Sequence, residues 1–210
     1  MGTTKKLWIK IVELFGWKFD IPERSTRPEL EHCVLIMAPH TSILDFFVGA
    51  ACVWKLEVNS RIFMKKEFFN WFTKPFLNHF GVVPVDRGNK KNHLTEYAVD
   101  LFRKNENFSL VITPEGTRKY VRKWKRGFYE IAIQAEVPVV MTYVDFRKKT
   151  MGIGPTFHPT GDFNADMIEM MTFYKDITPR HPEKFCTSTQ AYENRSARTA
   201  AADTNQETKK

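Results

Sequence analysis

The chain has 210 residues, 42% of them hydrophobic, with 32 Lys+Arg against 24 Asp+Glu for a net charge of +8. That is one domain's length with apolar matter for one core, and a basic balance that favours anionic partners: phosphate ligands, nucleic acid or anionic lipid. The three cysteines (Cys33, Cys52, Cys186) form no C-x-x-C pair, which argues against a disulfide framework or a Cys-type zinc site and fits a reducing compartment.

Residues 5–16 place Leu7, Trp8, Ile11, Val12, Leu14 and Phe15 on one helical face and Lys5, Lys6, Lys10 and Glu13 on the other. This predicts an amphipathic helix within 1–20 that either docks on the core or lies in a membrane interface. Lys10 and Glu13 interrupt its apolar stretch, so it does not read as a signal peptide. Cys33 to Ala38 is an unbroken apolar run, suited to a strand buried on both faces of a parallel sheet. Pro39 and His40 end it, and Thr41 or Ser42 can cap a helix running to about Lys55. The apolar part of that helix, Phe46 to Trp54, is far short of the ~20 residues a membrane span needs. The chain is therefore expected to be cytoplasmic, with any membrane contact peripheral, on the inner face of the cell membrane.

Arg61 to Met64 reads as a strand and Glu67 to Asn78 as a helix crowded with aromatics. Those aromatics are expected mostly in the core, although their density beside Lys65, Lys66 and Lys74 also suits a surface that takes up an acyl chain. Gly81 to Val85 is a strand ended by Asp86-Arg87-Gly88, residues 90–105 are helical, and Phe108 to Thr113 is a strand stopped by Pro114 and Gly116. A helix from Gly127 to Ala135 leads into a strand from Val137 to Asp145. Thr150 to Phe157 can pair with that strand as a hairpin, and a last helix covers Asn164 to Tyr174. Strands alternating with helices predict an α/β fold with a mostly parallel central sheet flanked by helices, over residues 21–185. Residues 186–210 read as a disordered polar tail.

Sites in open α/β sheets collect at the carboxyl ends of strands. Three polar clusters fall there: His40 to Asp45, Asp86-Arg87-Gly88, and Pro114-Glu115-Gly116-Thr117-Arg118. A carboxylate at Asp45 can fix the tautomer of His40 and make it a general base for a hydroxyl. A Ser-x-x-Asp pattern is also a plain helix cap, so that spacing alone leaves both readings open. Arg87 and Arg118 suit bidentate phosphate binding, Gly116 allows close backbone approach, and Glu115 can orient Arg118 or meet an acceptor hydroxyl. Thr117 to Arg126 carries six basic residues with Tyr120 and Trp124 between them, a stretch that suits a solvated face, a lipid headgroup layer or RNA.

The order of His40-x4-Asp45, Gly81-Val-Val-Pro-Val-Asp-Arg87, Pro114-Glu-Gly-Thr-Arg118 and Val137-Pro-Val-Val140 resembles the glycerolipid acyltransferases, typified by 1-acylglycerol-3-phosphate O-acyltransferase (the PlsC-like family). The blocks span about residues 33–145. The resemblance implies a glycerol-3-phosphate acyltransferase-like α/β fold. It implies His40 as general base with Asp45 as its partner, Arg87 and Arg118 on the acceptor phosphate, and Glu115, Gly116 and Thr117 beside them. Lys65 resembles a family lysine that precedes the second block, and Lys125 and Gly127 a basic-Gly element that follows the third. It implies acyl-CoA or acyl-carrier-protein as co-substrate, no cofactor and no metal. Its partners would be a lyso-phospholipid acceptor and a membrane surface, with no nucleic acid. Pro39 stands where the family commonly has Asn, and Met141 near a common second proline, which bears on acceptor identity and acyl length. Other readings are an acyltransferase on another lyso-lipid hydroxyl such as a lyso-amino lipid, a thioesterase, and a non-catalytic basic module that binds membrane or RNA.

Overall fold

A computed structural model of the chain describes residues 2–23, 26–86 and 93–193. Its centre is β2 (His32–Ala38), in which every residue after His32 is buried. Alternate side chains go to opposite sides: Val34, Ile36 and Ala38 join one core layer, Cys33, Leu35 and Met37 the other. A strand apolar on both faces is stable only with both faces covered, which is what the unbroken run predicts.

Six further strands surround it: β1 (Lys18–Asp20), β3 (Ser60–Lys65), β4 (Val82–Val85), β5 (Phe108–Ile112), β6 (Val139–Asp145) and β7 (Thr150–Phe157). They form one sheet in the order β1-β7-β6-β2-β5-β3-β4. All neighbours run parallel except the β6–β7 hairpin, which carries a register shift between Val140 and Thr142. The mostly parallel sheet is as expected.

Helices cover both faces. On one side, α1 (Thr3–Leu14), α2 (Leu44–Lys55) and α3 (Lys74–His79) supply Ile9, Val12, Phe46, Val48 and Leu77. On the other, α4 (Leu94–Lys104), α5 (Gly127–Ala135) and α6 (Phe163–Tyr174) supply Ala98, Phe102, Phe128, Ile131 and Met167. The indole of Trp8 on α1 donates to the Phe47 carbonyl on α2 at 3.1 Å, so α1 docks on the core while Leu7, Leu14 and Phe15 stay exposed. Among the described residues no helix is long and apolar enough to cross a membrane.

Three elements depart from the sequence reading. β1 is an unforeseen edge strand of three residues. The helix expected over 67–78 is instead a 3-10 turn (Lys66–Phe68), a loop, and the short α3. Asn70 explains the break: its Oδ1 accepts the amides of Phe72 and Thr73 at 3.0 and 2.9 Å, a local alternative to helical bonding. The tail boundary at 186 also moves. Cys186, Ala191 and Tyr192 are buried, and the Tyr192 hydroxyl accepts the Trp124 amide at 2.8 Å, so the packed chain continues through Tyr192. The rest of the expected tail, 194–210, lies outside the described residues.

Candidate active site

The centre of the sheet delivers the site. β2 ends at Ala38, a cis bond joins it to Pro39, and His40 follows in the loop before α2. β5 pairs with β2 and ends at Ile112, so the Pro114–Arg118 loop leaves beside the His40 loop. β3 flanks β5 and brings Lys65 to the same edge.

His40 Nδ1 lies 3.3 Å from Asp45 Oδ2, at ion-pair distance but outside hydrogen-bonding alignment. The side chains are 16% and 1% exposed, so Asp45 is shut from water and the histidine is its opening to the surface. Asp45 Oδ2 also accepts the amides of Thr41 and Ser42 at 2.7 and 2.8 Å. The carboxylate that accepts these two loop amides is therefore also the one at ion-pair distance from the histidine. Because Nδ1 is buried on the Asp45 side, Nε2 is the nitrogen left for a ligand. Three backbone amides around the start of α2 are committed: those of Thr41 and Ser42 to Asp45, and that of Leu44 to the Ser42 hydroxyl at 3.2 Å.

Glu115 sits beneath the cleft, buried, with Oε1 accepting the His40 amide at 2.8 Å. It therefore braces the histidine loop. No contact with Arg118 is seen, contrary to one of its two expected roles. Burial pushes its carboxyl up to about 7, against the opposing pull of the backbone hydrogen bonds it accepts, the His40 amide among them.

Above these residues opens a cleft of about 450 Å³. His40, Lys65, Gly116, Thr117 and Arg118 all line it, over an apolar floor that includes Met37, Phe46, Ile62 and Val111. Arg118 and His40 therefore share one cavity. Arg87 lies outside the described residues. Lys125 also lines the cleft, brought there by a bond from its amide to the Pro114 carbonyl at 2.9 Å. Gly116 has φ +66°, and a Cβ there would stand 2.9 Å from the Lys125 side chain, so glycine lets the lysine stem lie across the turn. The basic stretch that follows does not act as one face. Arg126 lies 4.8 Å over the Phe163 ring and Lys123 5.4 Å over Tyr192, while Trp124 is core. The floor residues escaped the sequence reading, because strand and helix residues that line a cleft look the same as core. Two larger clefts, of 660 and 750 Å³, hold none of the expected site residues.

The arrangement can take a proton at Nε2, hold an anion at a rim of Arg118, Lys65 and Lys125, and bury an apolar chain below. A family model described as Acyltransferase matches residues 18–144. No curated protein matches. Among solved structures, the crystal structure of the 1-acyl-sn-glycerophosphate (LPA) acyltransferase, PlsC, from Thermotoga maritima is similar, with a TM-score of 0.54 at 15% identity, covering 75% of this chain and 68% of that one. At that identity the likeness concerns the fold.

Proposed function

The chain belongs to the acyltransferase family, and on that premise we propose that it moves a fatty acyl group from acyl-CoA or acyl-carrier-protein onto the free hydroxyl of a lyso-phospholipid. The acceptor we favour is 1-acylglycerol-3-phosphate, giving phosphatidate at a membrane surface to which the enzyme attaches peripherally. One observation carries this reading: a carboxylate-backed imidazole and an arginine open into the same cleft, above an apolar floor. A proton acceptor, a phosphate site and room for a chain are what an anionic amphiphile with a reactive hydroxyl requires. Water needs no such phosphate site, which favours transfer over hydrolysis.

In this mechanism His40 Nε2 removes the acceptor's hydroxyl proton as that oxygen attacks the thioester carbonyl. The imidazolium is stabilised by Asp45, and the oxyanion meets the cationic rim, since the Thr41 and Ser42 amides are committed to Asp45. Collapse of the intermediate expels the thiolate, which takes the proton from His40. The ester forms, the thioester breaks, and the histidine ends neutral. The test is purified enzyme with labelled palmitoyl-CoA and a panel of lyso-lipids. Label should enter phosphatidate, and His40→Ala should lower turnover by about 10²–10⁴-fold, or ~3–5 kcal/mol of barrier, in a folded protein. Unchanged turnover in that variant ends the proposal, and label entering a lyso-amino lipid instead moves it to another acceptor.

A further inference from the structure

The loop after β3 holds the most exposed pair of large rings among the described residues. Trp71 is 81% and Phe72 77% exposed, their rings 5.0 Å apart. They are not left out for want of order. Asn70 Oδ1 accepts the amides of Phe72 and Thr73, the Thr73 hydroxyl donates to the Phe68 carbonyl, and the Lys74 amide returns to the Asn70 carbonyl at 2.9 Å. The loop's own bonds hold the two rings out in water, where each leaves apolar area that burial would stabilise.

The loop is also the lip of the cleft. Phe68 and Lys65, at its root, line the cavity that holds His40. Ile43, 47% exposed, stands at the same cavity, with exposed Leu44 beside it. One loop therefore places an apolar side chain at the cleft, Phe68, and two more on its open turn, Trp71 and Phe72. Lys65, Lys66 and Lys74 flank the loop. Lys65 is 3.1 Å from Glu67 and Lys66 2.5 Å from Asp86, so Lys74 and the chain's overall +8 supply the remaining attraction for anions. A tryptophan and a phenylalanine beside lysines are the composition of an interfacial anchor.

We propose that the Phe68–Thr73 loop, through Trp71 and Phe72, seats the enzyme in an anionic lipid surface with the His40 cleft mouth facing the bilayer. The acceptor then passes from lipid to cleft along an apolar path, without its chain crossing water. This rests on the lipid-acceptor reading above, and it puts the anchor on this loop instead of on the amphipathic α1, whose Ile9 and Val12 are spent on the core.

The test uses the full chain and the double variant Trp71→Ser/Phe72→Ser. Sedimentation with phosphatidylglycerol-containing vesicles should show partitioning reduced about tenfold or more in the double variant. Vesicles carrying brominated lipids should quench a fluorescence component of the wild type that the variant lacks. Turnover on a short-chain acceptor dissolved as monomers should be unchanged, and turnover on vesicle-embedded acceptor should fall with partitioning. A second variant, Leu14→Ser/Phe15→Ser, should keep vesicle binding. Unchanged partitioning in the Trp71/Phe72 variant overturns the proposal, as does binding lost only in the Leu14/Phe15 variant. So does a wild-type dimer that the Trp71/Phe72 variant splits without loss of vesicle binding, since the rings would then join two copies. Wild type that partitions through these rings yet acylates no monomeric acceptor leaves the surface standing and removes the acyl-transfer reading.

Discussion

Glu115 shows what burial does to a site carboxylate. Its folded pKa, about 7, lies above the ordinary 4.5, with desolvation the leading cause. Below pH 4.5 both folded and unfolded forms hold the proton and nothing is lost. Between 4.5 and 7 the unfolded chain releases it while the folded chain keeps it, so stability declines, by roughly 3 kcal/mol once the pH is above 7. Glu115→Gln should remove that loss, because the amide has no proton to give up. Thermal melts across pH 4.5–7.5 check this: the variant should lose less stability than wild type on going up that range. Parallel curves would show that Glu115 does not titrate there. The Gln Oε1 can still accept the His40 amide, so turnover should stay within about tenfold of wild type. Sequence flagged Glu115 as a site residue but could not show which partner it takes. That partner is a backbone amide 75 positions away, joined only because β2 and β5 are neighbours.

At the scale of elements, legibility followed length and two-sided burial. β2, β5 and β6 read clearly because strands packed on both faces have few polar positions to blur them. β1 was invisible because three residues with only Phe19 half-buried carry no periodicity. The aromatic stretch was misread because Phe and Trp look alike in a core helix and on an open loop, and the deciding residue was the polar Asn70. Tyr192 was missed for a related reason: its partner Trp124 is 68 positions distant. β1 stays on the sheet through a contact that only glycine allows. A Cβ at Gly152 on β7 would come within 2.4 Å of the Asp20 carbonyl and 3.0 Å of the Tyr143 hydroxyl. Gly152→Ala should therefore push β1 from the edge and cost about 1–3 kcal/mol in denaturant unfolding. Hydrogen exchange should localise the damage to 18–20 and 150–152, leaving the His40 cleft on the opposite half of the sheet intact. An effect spread evenly over the sheet would mean that β1 is not held by this contact.

Over the whole molecule, the sheet order explains why two of the sequence blocks come together. The first and third blocks end adjacent central strands, β2 and β5, so residues far apart in sequence were bound to meet, whereas Arg87 follows the edge strand β4 and falls outside the described residues. Net charge acts at this scale too. A chain of +8 whose cleft rim carries Arg118 and Lys125, with Lys65 partly offset by Glu67, attracts anionic ligands before contact. That attraction is screened by salt, the Debye length falling from about 10 Å at 0.1 M to about 3 Å at 1 M. With monomeric 1-acylglycerol-3-phosphate, kcat/KM should thus drop several-fold between 0.05 and 0.5 M salt, while kcat at saturation changes little, since chemistry inside the cleft is shielded from bulk ions. Arg118→Ala should raise KM for this acceptor and flatten the salt dependence together, because it removes both the contact and part of the field. A lyso-lipid with a zwitterionic headgroup, assayed alongside, should show neither change. If Arg118→Ala instead lowers kcat alone and leaves the salt slope intact, that guanidinium serves the reacting carbonyl and the phosphate is held elsewhere.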